Sequence, residues 1–275
     1  GGRLGSDGRI PLEDRILRLS VFVDVRVPQP TKSMAPTVSR FTLYEDMPPG
    51  PPSKSRSPLE LVELLQARIS TAARSYRLAT VRYLMRPPLS LRPKYVAFLL
   101  DLAHQSDHMQ EVLGRAAERV LERASENPVV QLLRDHHREE RNRMQLVMGD
   151  LRRLGYAEEL PQRVTTSGDA ALRAYSTTLS YERPTAMLGI LLVFLGVAAE
   201  ISPIVVRLLS VGSVPKEAMG WLLLRQTADP QAVRDLLSHV AELVKDPADQ
   251  ASVIEAAEVT GELLALGAAA RPAMS

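Results

Sequence analysis

The chain has 275 residues, 34 Lys+Arg against 32 Asp+Glu, 45% hydrophobic residues and no cysteine. A formal charge of +2 is too small for a domain-wide phosphate-binding surface, so no nucleic-acid partner is expected. Without cysteine there is no disulfide, thiolate metal site or thiol nucleophile, and the length is ample for a buried core.

Residues 1–57 differ from the rest. Pro28, Pro30, Pro36, Pro48, Pro49, Pro51 and Pro52 cluster there among Ser, Lys and Arg. Leu17 to Val27 and Arg40 to Tyr44 alternate apolar and polar residues, as short strands of a hairpin do. The segment therefore reads as a proline-rich arm, with Met47 to Arg56 as its linker, ahead of a helical domain over 58–275. The N-terminal segment lacks the charged-then-apolar pattern of a secretory signal, so the expected location is the cytoplasm.

From Ser57 onward the punctuation is helical. Ser57-Pro58 with Glu60 supplies a cap, an N1 proline and an acidic first turn, and Pro87-Pro88 ends that helix. A second helix runs from about Arg92 through His108 toward Arg123, and Asn127-Pro128 opens a third that stops at Gly155. Further helices are expected from Gly168, Pro184, Val214, Asp229-Pro230 and Asp246-Pro247. The apolar run Ala186 to Ala199, about fourteen residues closed by Glu200 and Pro203, falls short of the roughly twenty needed to span a bilayer. It reads as a core helix, and no membrane partner is expected. The predicted fold is all-α, a bundle of seven to eight helices.

Five histidines invite a search for metal. His104 and His108 stand i, i+4 near Asp107, and His136 and His137 precede Glu139 and Glu140 on the third helix. Helical bundles build di-metal sites from a Glu-x-x-His pair, but Glu140 has Arg143 three residues on. Met144 and Met148 have the spacing of a core stripe. Leu61, Leu64, Leu65 and Ile69 mark the packed face of the first helix, and its arginines the solvated one.

The run His136 to Arg143, followed by Asp150-Leu151-Arg152-Arg153-Leu154-Gly155, resembles the signature helix of heme-oxygenase-like diiron oxidases and iron-containing redox proteins. There the pattern is His-x-x-Glu-Glu-x-x-His and then Asp-Leu-x-x-Leu-Gly. The resemblance continues at Pro184-Thr185-Ala186-Met187-Leu188-Gly189 with Phe194-Leu195-Gly196, and at Trp221-Leu222 through Arg225 and Asp229-Pro230-Gln231-Ala232. It covers roughly residues 90–265 and implies a heme-oxygenase-like bundle.

Carried over position by position, the family's metal ligands fall on Glu140, Arg143, Leu195, Arg225 and Ala232, with Asp229 retained. An earlier helix should add a carboxylate, for which Asp107 is the nearest candidate, with Gln105 and Gln110 as neighbours. Arginine does not deprotonate to bind a metal and leucine offers no donor, so the resemblance implies a degenerate site and no cofactor. Losing cationic metal would strand Glu140 and Asp229 as buried anions, and arginines at 143 and 225 would neutralise them. The expectation is a Glu140–Arg143–Arg225–Asp229 ion cluster in a vestigial cavity.

Three functional readings follow. In the first, the protein is a catalytically degenerate, heme-oxygenase-like pseudoenzyme, acting as a non-catalytic partner of another protein or of a second copy, or binding a small acidic ligand. In the second, it resembles the metal-independent oxidase of quinone-cofactor synthesis, with Arg143, Arg225, Tyr181 and His136 or His137 holding substrate. In the third, it is an active non-heme diiron oxidase whose iron ligands come from His104, His108, His136, His137, His239 and carboxylates.

Overall fold

Seven α-helices account for most of the described residues of the computed structural model, which are 55–87, 90–156, 166–212 and 214–271. They are α1 (Pro58–Met85), α2 (Leu91–Arg123), α3 (Val129–Arg153), α4 (Ser167–Glu182), α5 (Met187–Val211), α6 (Gly220–Leu243) and α7 (Pro247–Ala269). Single 3₁₀ turns at Pro184–Ala186 and Lys216–Ala218 precede α5 and α6. The expected hairpin at 17–27 and 40–44 lies outside the described residues.

Local chemistry sets most of the boundaries. Ser57 and Glu60 form a reciprocal capping box at the start of α1. Buried Lys94 closes the other end of α1, its Nζ donating to the carbonyls of Leu84, at 3.0 Å, and Arg86. Gly155 ends α3 with φ 81°, a conformation that costs glycine least. Thr166 caps α4, accepting from Asp169 N at 3.2 Å, and Asp246 caps α7, accepting from the amides of Ala248 and Asp249 at 2.9 and 3.0 Å.

Three expectations are corrected. The helix expected at Val214 begins at Gly220, after the 3₁₀ turn. Asp229-Pro230 opens no helix: Pro230 lies inside α6. The proline removes the donor for the carbonyl of Gln226, a residue exposed to solvent. Pro203 is likewise inside α5, so the apolar helix runs past Glu200 to Val211. With its 3₁₀ lead-in this segment is 28 residues long and apolar enough to cross a membrane by length and composition, yet 67% of its most apolar window is buried against other helices.

That burial defines the architecture. α5 is the central element, packed on α6, α1 and α7, while α2 and α3 form a long pair of which α2 touches α5 and α3 packs on α6. Glycines permit the closest approaches: a Cβ on Gly189 would fall on the carbonyl oxygen of Val253 and 3.0 Å from Ala257 N, so α5 and α7 touch backbone to backbone. Leu61, Leu65 and Ile69 of α1 are buried as expected, and Leu64 packs partly against the core. The last residues before α1 are tied to α7, because Arg56 N donates to Gln250 Oε1 at 2.8 Å and Gln250 Nε2 returns a bond to Arg56 O at 3.2 Å.

Candidate functional site

A cavity of about 50 Å³ lies between α2, α3, α5 and α6. Phe98, Leu102, Met109, Phe194, Val197 and Ile201 supply much of its apolar wall, and Glu140, Arg143 and Arg225 gather on its polar side. Gln105 and Ser106 of α2 add neutral polar groups, and Leu195 completes the wall without a donor.

The polar side is built from two helix-internal ion pairs. On α3, Arg143 Nη1 donates to Glu140 Oε1 three residues back, and Nη2 donates to Glu139 Oε2 at 3.0 Å. On α6, Arg225 Nη1 donates to Asp229 Oδ1 at 2.8 Å one turn on. The four members are 6, 8, 5 and 3% exposed in the order Glu140, Arg143, Arg225, Asp229, so both pairs are desolvated. The i, i+4 pairing of Arg225 with Asp229 depends on α6 continuing through Pro230. A helix that began at Asp229 would have broken it.

The electrostatics of the α6 pair are unbalanced. Burial pushes the Arg225 guanidinium below its usual range, and the neighbouring Arg143 adds to that effect; Asp229 and Glu140 oppose it only in part. Burial also raises the Asp229 carboxyl despite Arg225. For both partners desolvation outweighs the attraction between them, as expected of a buried pair short of further hydrogen bonds. Arg225 Nε and Asp229 Oδ2 are buried and have no hydrogen-bond partner among the described residues. Arg225 also lies over the indole of Trp221, 5.2 Å from the ring centroid.

Asp150 and Trp221 hold this arrangement in place. The Asp150 carboxylate, fully buried on α3, accepts from the amides of Gly220 at 3.0 Å and Trp221 at 2.8 Å and so caps α6. The aspartate of the Asp-Leu-x-x-Leu-Gly motif thus docks the helix that carries Arg225. A second buried cation lies behind the cavity-lining rings of Tyr76 and Phe98. Arg271 Nε meets Asp101 Oδ2 at 2.8 Å and Nη2 donates to Tyr76 OH at 2.9 Å, while Tyr76 and Phe98 face both Arg271 and the cavity. Burial opposes the Arg271 charge, but Tyr76 and Asp101 hold its pKa above the ordinary value. Arg271 was not singled out from sequence; a lone arginine near the chain end carries no periodic signal.

Other expected site residues are elsewhere. Asp107 is exposed on the far face of α2, where Gln105, two residues earlier, is the residue that reaches the cavity. Tyr181 is 44% exposed on α4, with the guanidinium groups of Arg115 and Arg119 over its ring at 4.5 and 5.4 Å. Ala232 is half-buried, two residues beyond Pro230, and does not line the cavity. His136 is buried, its Nδ1 3.1 Å from Glu139 Oε2, so it orients the carboxylate that also binds Arg143. His137 bonds the Gln110 carbonyl at 2.8 Å, His108 meets Ser176 Oγ at 2.9 Å, and His239 is exposed. Met148 is buried and Met144 partly so, as a core stripe requires.

The residues present do not fit a di-metal centre. Glu140 and Asp229 each bind an arginine, and positions 143, 195 and 225 carry no metal donor. Among the described residues no three His, Asp or Glu side chains come together as ligands for one ion.

No family model matches the sequence, and no curated protein matches it either. Among solved structures, a domain of unknown function from Shewanella denitrificans described as having a heme oxygenase-like fold superposes with a TM-score of 0.62. The alignment covers 73% of this chain and 87% of that one. The fold is heme-oxygenase-like. At 17% identity the likeness concerns the fold alone, and it agrees with the fold implied by the motif resemblance. In this heme-oxygenase-like bundle the cavity lies among the helices that carry the resemblance, α3, α5 and α6.

Proposed function

We propose that this heme-oxygenase-like protein is a pseudoenzyme that works without a metal and binds a small ligand in the cavity bounded by Arg143 and Arg225. The observation that carries this reading is the pairing of Glu140 and Asp229, the two carboxylates the resemblance assigns to metal, with buried arginines. Each guanidinium supplies a fixed positive charge where a ligated cation would otherwise neutralise the carboxylate. The remaining cavity favours a small ligand over a purely structural role, because a bundle with no ligand would gain by filling it.

The metal-independent oxidase reading keeps Arg143, Arg225 and His136 near one another but loses Tyr181, which sits on the α4 surface under two arginines. The diiron reading requires histidines that point to separate partners. A non-catalytic role beside another protein remains part of the proposal, with the cavity as the more specific feature.

Anaerobic reconstitution with ferrous iron followed by metal analysis tests the reading. We expect substoichiometric iron that washes off, and iron retained at di-metal stoichiometry overturns it. As a readout independent of iron loading, Arg143→His with Arg225→His should gain metal affinity over the parent chain, since both substitutions return donors beside Glu140 and Asp229. No gain would argue that these positions never faced a common site.

A further inference from the structure

The guanidinium of Arg271 lies in an aromatic cage. Its Cζ stands 5.8 Å from the ring centroids of Tyr76 and Tyr83 and 5.3 Å from that of Phe98. Two nitrogens of its plane reach two acceptors, Nε to Asp101 Oδ2 at 2.8 Å and Nη2 to Tyr76 OH at 2.9 Å. All four partners are buried, as is Arg271 itself. Rings and a carboxylate around one cation are the elements by which proteins recognise organic cations, the rings through their quadrupoles and the carboxylate through its charge. Tyr76 and Phe98 also line the cavity, so cage and cavity share a wall. None of Glu140, Arg143, Arg225 and Asp229 belongs to the cage, so its ligand chemistry stands independently of the metal-free reading.

Arg271 fills this cage incompletely. Its Nη1 is buried without a hydrogen-bond partner among the described residues, and so are Tyr83 OH and Thr80 Oγ1. Tyr76, Thr80 and Tyr83 stand at i, i+4 and i+7 on one buried face of α1, so the unused hydroxyls share the face that carries the cage. Leaving buried donors and acceptors unmet is costly. The tether limits the fit, because Arg271 comes two residues after the last helical residue of α7, Ala269, and its reach is set from there. A guanidinium free of α7 is not held to that placement and can turn its third nitrogen toward a hydroxyl. Arg271 can also leave without unwinding α7. The amide of Ala270 makes the last backbone bond at that helix end among the described residues, to Leu266 O at 3.1 Å, and beyond it the side chain ties Arg271 to the bundle.

We infer that Tyr76, Tyr83, Phe98 and Asp101 form a binding site for a small alkylguanidinium, which Arg271 occupies in cis and which the free ligand enters by displacing it. A guanidinium suits the site better than an ammonium, because the two acceptors are met by different nitrogens of one plane while the rings surround it. A quaternary ammonium would satisfy the rings but offers no N–H to Asp101 or Tyr76 OH. The alkyl group takes the path of the displaced Arg271 stem, which sets its length at about three methylenes.

Calorimetric titration of the full chain with propylguanidinium, butylammonium and tetramethylammonium at constant ionic strength tests the inference, with Trp221 fluorescence as a second signal. Trp221 is the sole tryptophan and meets Phe98 edge-on, 6.1 Å between ring centroids, so it senses the cage. Arg271→Ala empties the cage and should bind propylguanidinium saturably, about tenfold more tightly than either other cation, the difference one charge-assisted hydrogen bond makes. The parent should bind it about tenfold more weakly than Arg271→Ala, because the tethered Arg271 competes at an effective concentration on the order of millimolar. Arg271→Lys keeps a cation for Asp101 and so should fold even where Arg271→Ala does not; it should bind propylguanidinium more tightly than the parent, since lysine competes through one nitrogen. Arg271→Ala with Asp101→Asn removes both charges and should lose the binding. Absence of binding in the folded Arg271 variants, or equal affinity for butylammonium, overturns the inference. Affinity in Arg271→Lys no higher than in the parent overturns the displacement of Arg271, and affinity retained with Asp101→Asn overturns the placement of the ligand in the cage.

Discussion

Replacing Arg225 with alanine removes the cation from a pair whose members are 5 and 3% exposed. Asp229 Oδ1 loses its 2.8 Å bond and joins Oδ2, which already has no partner among the described residues. Breaking a buried pair in this way costs about 3–5 kcal/mol. Loss of the guanidinium from the Trp221 face, 5.2 Å from the ring centroid, adds to it, by about 0.5–1 kcal/mol. Two effects reduce the cost: Arg225's own desolvation disappears, and so does its repulsion with Arg143. The expected net loss is therefore about 3 kcal/mol at pH 7, read as a shift in the urea midpoint followed by far-ultraviolet circular dichroism. Asp229 gives the loss a pH signature. Burial already raises its carboxyl pKa, and removing Arg225 raises it further. A carboxyl whose folded pKa is raised contributes most below its unfolded value and loses that contribution as pH rises through the folded value. The penalty of Arg225→Ala should accordingly shrink as pH falls from 7 toward 5. The double variant Arg225→Met with Asp229→Leu, which removes both charges and refills the volume, should come within about 1 kcal/mol of the parent. A loss below about 1 kcal/mol for Arg225→Ala at pH 7 would show that the pair is solvated in solution and would remove the electrostatic basis of the site.

Asp150→Ala strips both acceptors from the start of α6, and the loss should be about 2 kcal/mol in the same urea assay; Asp150→Asn, which keeps one acceptor, should lose less. Gly189→Ala forces a methyl onto the Val253 carbonyl and should cost at least about 2–3 kcal/mol by separating α5 from α7. Gly149→Ala is its control, because a Cβ there meets only Arg153 Nη1 at 3.5 Å, and the gain in helix propensity should stabilise by about 0.5–1 kcal/mol. Glu139 is held below the ordinary carboxylate range, first by its hydrogen bond to His136 and also by Arg143, against the opposing effect of burial. Its contribution is present above the unfolded pKa and disappears as pH falls through the depressed folded value, so Glu139→Gln should be less stable than the parent near neutrality and converge with it in acid. A gap that widens in acid would show that His136 and Arg143 do not favour the ionised form.

Much of the fold is written in local sequence because helix ends are decided locally. Ser57-Pro58 with Glu60, Asp246-Pro247 and Gly155 each satisfy or terminate backbone groups within a few residues, so the ends of α1, α3 and α7 are legible without tertiary information. The two prolines that mislead, Pro203 and Pro230, are those whose consequences depend on surroundings. Packing holds both in continuous helices, and at Pro230 the residue whose carbonyl loses its donor, Gln226, is exposed.

The candidate site divides in the same way. Spacing places Glu140 with Arg143 and Arg225 with Asp229 on common helix faces, and the motif resemblance marks the same four positions. That these faces are buried around one cavity, with Phe194 and Ile201 in its wall, follows from the packing of α6 on both α5 and α3, the last of which lies well before the other two in the chain. Asp107 and Tyr181 show the limit, since one step along a helix turns a side chain by about 100°: Gln105 faces the cavity and Asp107 the solvent. The sequence by itself determined an all-α bundle, its main punctuation and the helical spacing that pairs Glu140 with Arg143 and Arg225 with Asp229, because these follow from residue type and near-neighbour spacing. Only the tertiary structure decided which charges are desolvated, that Arg225 Nε lacks a partner among the described residues and that Arg271 backs Tyr76 and Phe98, because burial is a property of how distant segments meet.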